Sequence, residues 1–196
     1  SHSTGFYITS AFDEWGTWHD EDVIEKGTHQ RQTMRDAVFA AMAFHIFYRN
    51  SDIVKMAMQT QLCNLNESLF DTDGKNFVKT ATFFVMKLFK EHIEQYLLED
   101  AFTCDSDIDA LASISEDGNR ITLTAANRDL YNSKKIVLSD ELKAMKVTLS
   151  DIVFSSDVRN YNSFEHPYLI KDEHFDFETD RLEIPPHSVI RIVFTK

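Results

Sequence analysis

Glycine and proline are scarce in this chain of 196 residues, with five Gly and three Pro against sixteen Phe. That balance excludes collagen-like, linker-like and disordered classes and calls for packed structure. Cysteine is scarcer still: Cys63 and Cys104 lie far apart, and there is no C-x-x-C pair. Two such residues build no disulfide framework, so they are expected as buried thiols in a reducing compartment, with the cytoplasm favoured. No apolar run reaches the roughly 18 residues that a membrane span needs. No charged-then-apolar leader opens the chain, and Ser1-His2-Ser3 reads either as a cloning scar or as a native loop. Positive charge is also in short supply, with 20 Lys and Arg against 32 Asp and Glu and a net charge of −12. This disfavours nucleic acid and anionic membranes as partners and suits neutral or cationic small molecules. HExxH, GxSxG, P-loop and GxGxxG patterns are all missing, and the eight histidines show no metal-ligand spacing. The expected cofactor list is therefore empty, and so is the metal list.

What is present falls into two halves. Residues 6–14 are aromatic, β-branched and small until Asp13 and Glu14 arrive, which predicts a strand covered on both faces. An acid-rich loop follows. Residues 29–49 carry Met34, Val38, Ala41, Met42, His45 and Ile46 at helical spacing, widened by Phe39, Phe44 and Phe47, and predict a largely enclosed helix. Arg49 and Asn50 suit its C-terminus. Residues 52–64 read as a second buried strand with Gln59, Gln61 and Asn64 gathered at its C-terminal end. A turn falls at 71–75, and a second helix is expected over 77–92. Strand, helix, strand, helix is the alternation of parallel α/β sheets and barrels, and two such units cannot close an eight-unit barrel. After residue 94 short alternating runs take over at 108–114, 120–126, 134–138, 145–154, 169–177 and 189–194, as in an antiparallel β-sandwich. The expected division is 1–95 and 96–196.

Chemistry concentrates at the end of the first strand. Alternation puts Ser10, Phe12 and Glu14 on one face and Ala11, Asp13 and Trp15 on the other. Glu14 sits at a C-terminal strand end, the face where α/β folds bind ligands. It could serve as nucleophile or acid/base, with Trp15 and Trp18 walling out water and stacking on a substrate. Equally, it could cap a turn or pair with an arginine. Gln61 lies at the same end of the next strand, where its amide suits a sugar hydroxyl or simply the loop backbone.

Four stretches carry a family resemblance. Phe12-Asp13-Glu14-Trp15-Gly16-Thr17-Trp18-His19 is similar to the strand-end D-E-W-x-x-W-(Y/H) signature of glycoside hydrolase family 51 α-L-arabinofuranosidases. Asp52-Ile53-Val54-Lys55-Met56-Ala57 through Gln61-Leu62-Cys63-Asn64 resembles that family's D-x-V-K-x-A…Q-x-x-N strand. Residues 82–92 resemble its last barrel helix, and Ala125-Ala126-Asn127-Arg128-Asp129 its sandwich motif. The four run in the family's order over nearly the whole chain. The resemblance implies the last two βα units of a (β/α)8 TIM barrel followed by a jelly-roll-like β-sandwich. It also implies Glu14 as the nucleophile of a retaining, exo-acting hydrolase, Trp18 and Gln61 at the arabinose, an arabinofuranosyl saccharide as partner, and a homo-oligomer.

The chain departs from that pattern at one point. The family's acid/base glutamate lies in a Gly-Asn-Glu motif on an earlier barrel strand, and these residues contain no Gly-Asn-Glu. The chain is therefore expected to begin just before the seventh barrel strand of a longer enzyme, to be inactive alone, and to self-associate or rearrange over residues 1–60. The rival reading is a non-catalytic sandwich module for carbohydrate binding or assembly, with Tyr161, Phe164 and Tyr168 as its exposed aromatics.

Overall fold

The structure is a computed structural model that describes residues 8–20, 23 and 29–196. Strands β1 (Ser10–Phe12) and β2 (Val54–Ala57) pair in parallel, with Ser10 opposite Val54 and Phe12 opposite Ala57. Helix α1 (Met34–Arg49) joins them. Its N-terminus is fixed by Asp36, whose Oδ2 accepts the Thr33 backbone N–H at 2.7 Å and the Thr33 hydroxyl at 2.8 Å. Arg49 lies in the last turn, and the Asn50 side chain donates to the Ile46 carbonyl at 2.7 Å. A small hairpin, β3 (Phe70–Thr72) and β4 (Phe77–Lys79), precedes helix α2 (Ala81–Phe89). The Thr80 hydroxyl caps α2 by accepting Phe83 N–H, and a 3-10 turn, Lys90–His92, ends it.

The rest is antiparallel. It comprises β5 (Gln95–Leu98), β6 (Phe102–Cys104), β7 (Ile108–Ser115), β8 (Arg120–Asn127), β9 (Lys134–Leu138), α3 (Asp140–Ala144), β10 (Lys146–Phe154), β11 (Lys171–His174), β12 (Leu182–Ile184) and β13 (Ser188–Thr195). A large sheet in the order β11-β10-β13-β8-β7-β5 packs on a small one, β12-β9-β6. Leu123, Ile136, Leu138, Leu182, Ile184, Ile190, Ile192 and Phe194 fill the space between them. On the other face of the large sheet, Ala126, Val153 and Val189 meet Met34, Phe84, Leu88 and Phe89 of the two helices. Strand β13 is thus covered on both faces, which explains its unbroken apolar run from Val189 to Phe194 apart from Arg191. Arg191 is buried on the helix side, paired with Asp151 and Glu91.

A second polar chain crosses the helix–sheet seam. His45 Nδ1 on α1 faces Asp109 Oδ1 at 3.3 Å, and its Nε2 lies 2.9 Å from Thr124 Oγ1. The same hydroxyl lies 2.8 Å from His92 Nε2, and His92 Nδ1 lies 2.6 Å from Ser113 Oγ. Burial depresses both histidines, His92 to about 3, where a proton would also be repelled by any charge on His45 and by Arg120.

Several expectations need correction. The first strand is short and not covered on both faces: residues 10–14 are exposed, while Phe6 and Tyr7 lie outside the described residues. Its apolar side chains are suited to neighbours on both sides, and among the described residues it pairs only with β2. The second strand stops at Ala57 rather than Asn64, because 58–69 turns back to cover the start of α2. Residues 77–79 form a strand instead of the first turn of a helix, since β3 offers Phe77 and Lys79 ladder partners and Thr80 caps from outside. The two thiols are not both buried: Cys104 is exposed and Cys63 half-buried, and both are free.

Candidate active site

Parallel pairing sets the site. Because β1 and β2 run the same way, their C-terminal ends lie at one edge, and the ladder continues there through Met58 N–H to the Phe12 carbonyl at 2.8 Å. Glu14 follows β1 and Gln61 follows β2, both exposed. Trp18 is also open, with 57% of its surface accessible.

Trp15 does not join them. Only 8% exposed, it meets Phe44 and Phe47 edge-on at centroid distances of 5.3 and 5.5 Å. The expectation of two indoles flanking Glu14 is therefore corrected to one. The cause is backbone alternation, which turns adjacent side chains to opposite sides, so that anchoring Trp15 in the core presents Glu14 to solvent.

Beneath the segment after Glu14 lies a buried acidic cluster that sequence reading missed. Thr17 Oγ1 is 2.7 Å from Asp36 Oδ1 and 2.7 Å from Glu67 Oε1. Asp36 and Glu67 are fully buried. Glu67 Oε2 accepts the Thr82 hydroxyl at 3.0 Å, and His19 Nε2 stands 3.7 Å from Asp36 Oδ1. Burial first, then the Asp36 charge, push the Glu67 carboxyl up to about 8. Its backbone is held at a φ of 54°, a left-handed conformation that a non-glycine residue adopts at a cost of roughly 1–3 kcal/mol. The Gln59 amide donates to the Glu67 carbonyl, and the Asn66 amide donates to the Thr17 carbonyl at 3.2 Å. Gly16 is required by this approach, since a Cβ there would fall 2.6 Å from Glu67 Cγ. Asp36 had a visible signal, a Thr-x-x-Asp start before an apolar helix. Glu67 had none, sitting in Asn64-Leu65-Asn66-Glu67-Ser68 with no recognisable spacing.

Arg31 lies over the Tyr161 ring at 5.1 Å, whereas Phe164 and Tyr168 are exposed. Among the described residues no three His, Cys, Asp or Glu side chains converge as a metal cluster would.

Comparison with known proteins supplies the context. Residues 13–188 match the family described as the α-L-arabinofuranosidase C-terminal domain. An intracellular exo-α-L-arabinofuranosidase from Bacteroides ovatus is 29% identical over 202 aligned residues, covering 94% of this chain and 39% of that protein. Among solved structures, a family 51 α-L-arabinofuranosidase from Bifidobacterium longum superposes with a TM-score of 0.80 at 18% identity, over 98% of this chain and 44% of that one. The arabinose complex of the Thermotoga maritima α-L-arabinofuranosidase gives 0.78 at 21% identity, over 96% and 43%. The chain thus spans about two fifths of the length of the relatives it matches.

Proposed function

Because this chain belongs to the family of α-L-arabinofuranosidase C-terminal domains, as the C-terminal portion of a glycoside hydrolase family 51 arabinofuranosidase, we propose that it supplies the nucleophile of a retaining, exo-acting α-L-arabinofuranosidase. Glu14 attacks the anomeric carbon of a terminal α-L-arabinofuranosyl residue and forms a glycosyl-enzyme. A second carboxylic acid, outside this chain, protonates the leaving oxygen and then activates water, standing about 5–5.5 Å from Glu14. Trp18 stacks on the sugar face and Gln61 bonds its hydroxyls. What supports this reading is the parallel pairing of β1 and β2: Glu14 follows the end of the one, Gln61 lies in the segment after the other, and Glu14, Gln61 and Trp18 are all exposed.

On this reading residues 1–95 complete a (β/α)8 barrel as its last two units, and 96–196 form the sandwich that buttresses it, in an oligomer of the parent enzyme. The intracellular relative supports a cytoplasmic location. The isolated chain does not turn over substrate, since a general acid alone contributes about 10²–10⁴-fold. The test is hydrolysis of an aryl α-L-arabinofuranoside. The isolated chain is expected to be inert, and in the complete enzyme Glu14→Ala abolishes turnover. A Glu14→Ala enzyme with near-parent activity would place the nucleophile elsewhere.

A further inference from the structure

Thr17 has one hydroxyl proton and two carboxyl oxygens at 2.7 Å, Asp36 Oδ1 and Glu67 Oε1. A single hydrogen serves one of them, and the other contact repels unless that carboxyl brings its own proton. Asp36 is the anion of the pair. Its Oδ2 already accepts two hydrogen bonds from Thr33, and it occupies the first turn of α1, where the helix dipole favours negative charge. His19 faces it from the loop. Around Glu67 stand Thr17 of that loop, Asp36 of α1, Thr82 of α2, and Gln59 and Asn66 of its own segment. The charge that acts on it is the Asp36 anion.

We propose that Glu67 is a positioning residue for the hydrolase chemistry: as a neutral carboxylic acid it donates Oε1–H to the Thr17 hydroxyl, which donates in turn to Asp36, clamping the segment that carries Glu14 and Trp18 onto the first turns of α1 and α2. This rests on the reading of Glu14 as nucleophile. Burial and the Asp36 charge raise the Glu67 carboxyl to about 8, so the clamp holds at neutral pH. Ionisation above that value sets two anions across one hydroxyl and loosens the 16–18 segment. Since the folded value lies above the unfolded one, the stability this carboxyl contributes is present in acid. It is lost as pH climbs from the ordinary carboxyl range through about 8.

Two experiments test this. In the first, thermal unfolding of the chain is followed from about pH 5 to about pH 9 for the parent, Glu67→Gln and Glu67→Ala. The Gln amide reproduces the neutral acid, so this variant should match the parent in acid and melt above it in alkali, while Glu67→Ala melts below Glu67→Gln throughout. A parent-to-Gln difference independent of pH, or a parent more stable in alkali, overturns the protonated clamp. In the second, the complete enzyme is assayed on an aryl α-L-arabinofuranoside. The expected kcat of the parent falls above about pH 8, Glu67→Gln removes that alkaline limb at unchanged KM, and Glu67→Ala lowers kcat at least about tenfold at every pH. An alkaline limb retained in Glu67→Gln overturns the positioning role. Should the parent enzyme not hydrolyse the substrate while the melting result holds, the functional reading fails and the positioning role with it, leaving Glu67 a protonated structural acid.

Discussion

Glu14 and Trp15 are neighbours with opposite fates: Trp15 is anchored against Phe44 and Phe47, and Glu14 is open to solvent. Glu14 stands out as a candidate by strand-end position and Trp18 and Gln61 by residue type, although the strand expected to carry Gln61 ends at Ala57. Glu67 does not, because its role depends on a left-handed turn that folds it under Gly16 and beside Asp36, contacts separated by tens of residues in sequence. Gly16 makes the point testable. Gly16→Ala forces its Cβ against Glu67 Cγ, and overpacking of this kind costs about 1–3 kcal/mol, to be read as a lower urea midpoint. An unchanged midpoint would mean that the loop does not lie against Glu67.

At the scale of the element, β7 to β10 and β13 were legible because alternating or continuous apolar runs survive in any sandwich context. The β3–β4 hairpin and β12 were not, being three residues long and paired through partners the sequence does not advertise. Helix α1 was legible from its spacing, but it begins at Met34 rather than at 29, where Thr33 and Asp36 fix its start. Thr33→Ala removes a hydrogen bond from the buried Asp36 and should cost about 1 kcal/mol, measured by chemical denaturation. The same helix carries His45 into the polar seam. Asp109 faces His45 Nδ1, and the Nε2 atoms of His45 and His92 meet at the one Thr124 hydroxyl. Both histidines are neutral when folded and ionise more readily when unfolded. Stability from this seam is therefore present above the ordinary histidine value of 6.5 and is lost as pH falls towards about 3. Unfolding followed across that window should show a falling limb, shallower in His92→Asn. An equal slope in the variant would remove His92 from the account.

For the whole molecule, the two layers behind the large sheet differ in completeness. The sandwich core is enclosed, whereas β1, β2 and the residue after it present Phe12, Met56 and Met58 to solvent, with Met56 52% exposed. Apolar surface of this kind contributes about 25 cal/mol per Å² when covered, and bare patches associate. With the chain spanning 39% of the Bacteroides relative, we expect concentration-dependent self-association of the isolated chain in light scattering. A clean monomer at all concentrations, with β1 and β2 protected in hydrogen exchange, would argue against it.

On the proposed function, Glu14 is the carboxylate that bonds to the sugar. A mechanism-based arabinofuranosyl inhibitor that traps the glycosyl-enzyme, followed by peptide mass mapping of the complete enzyme, tests it directly. The account predicts a single adduct on Glu14, abolished in Glu14→Ala. An adduct on any other carboxylate would contradict it.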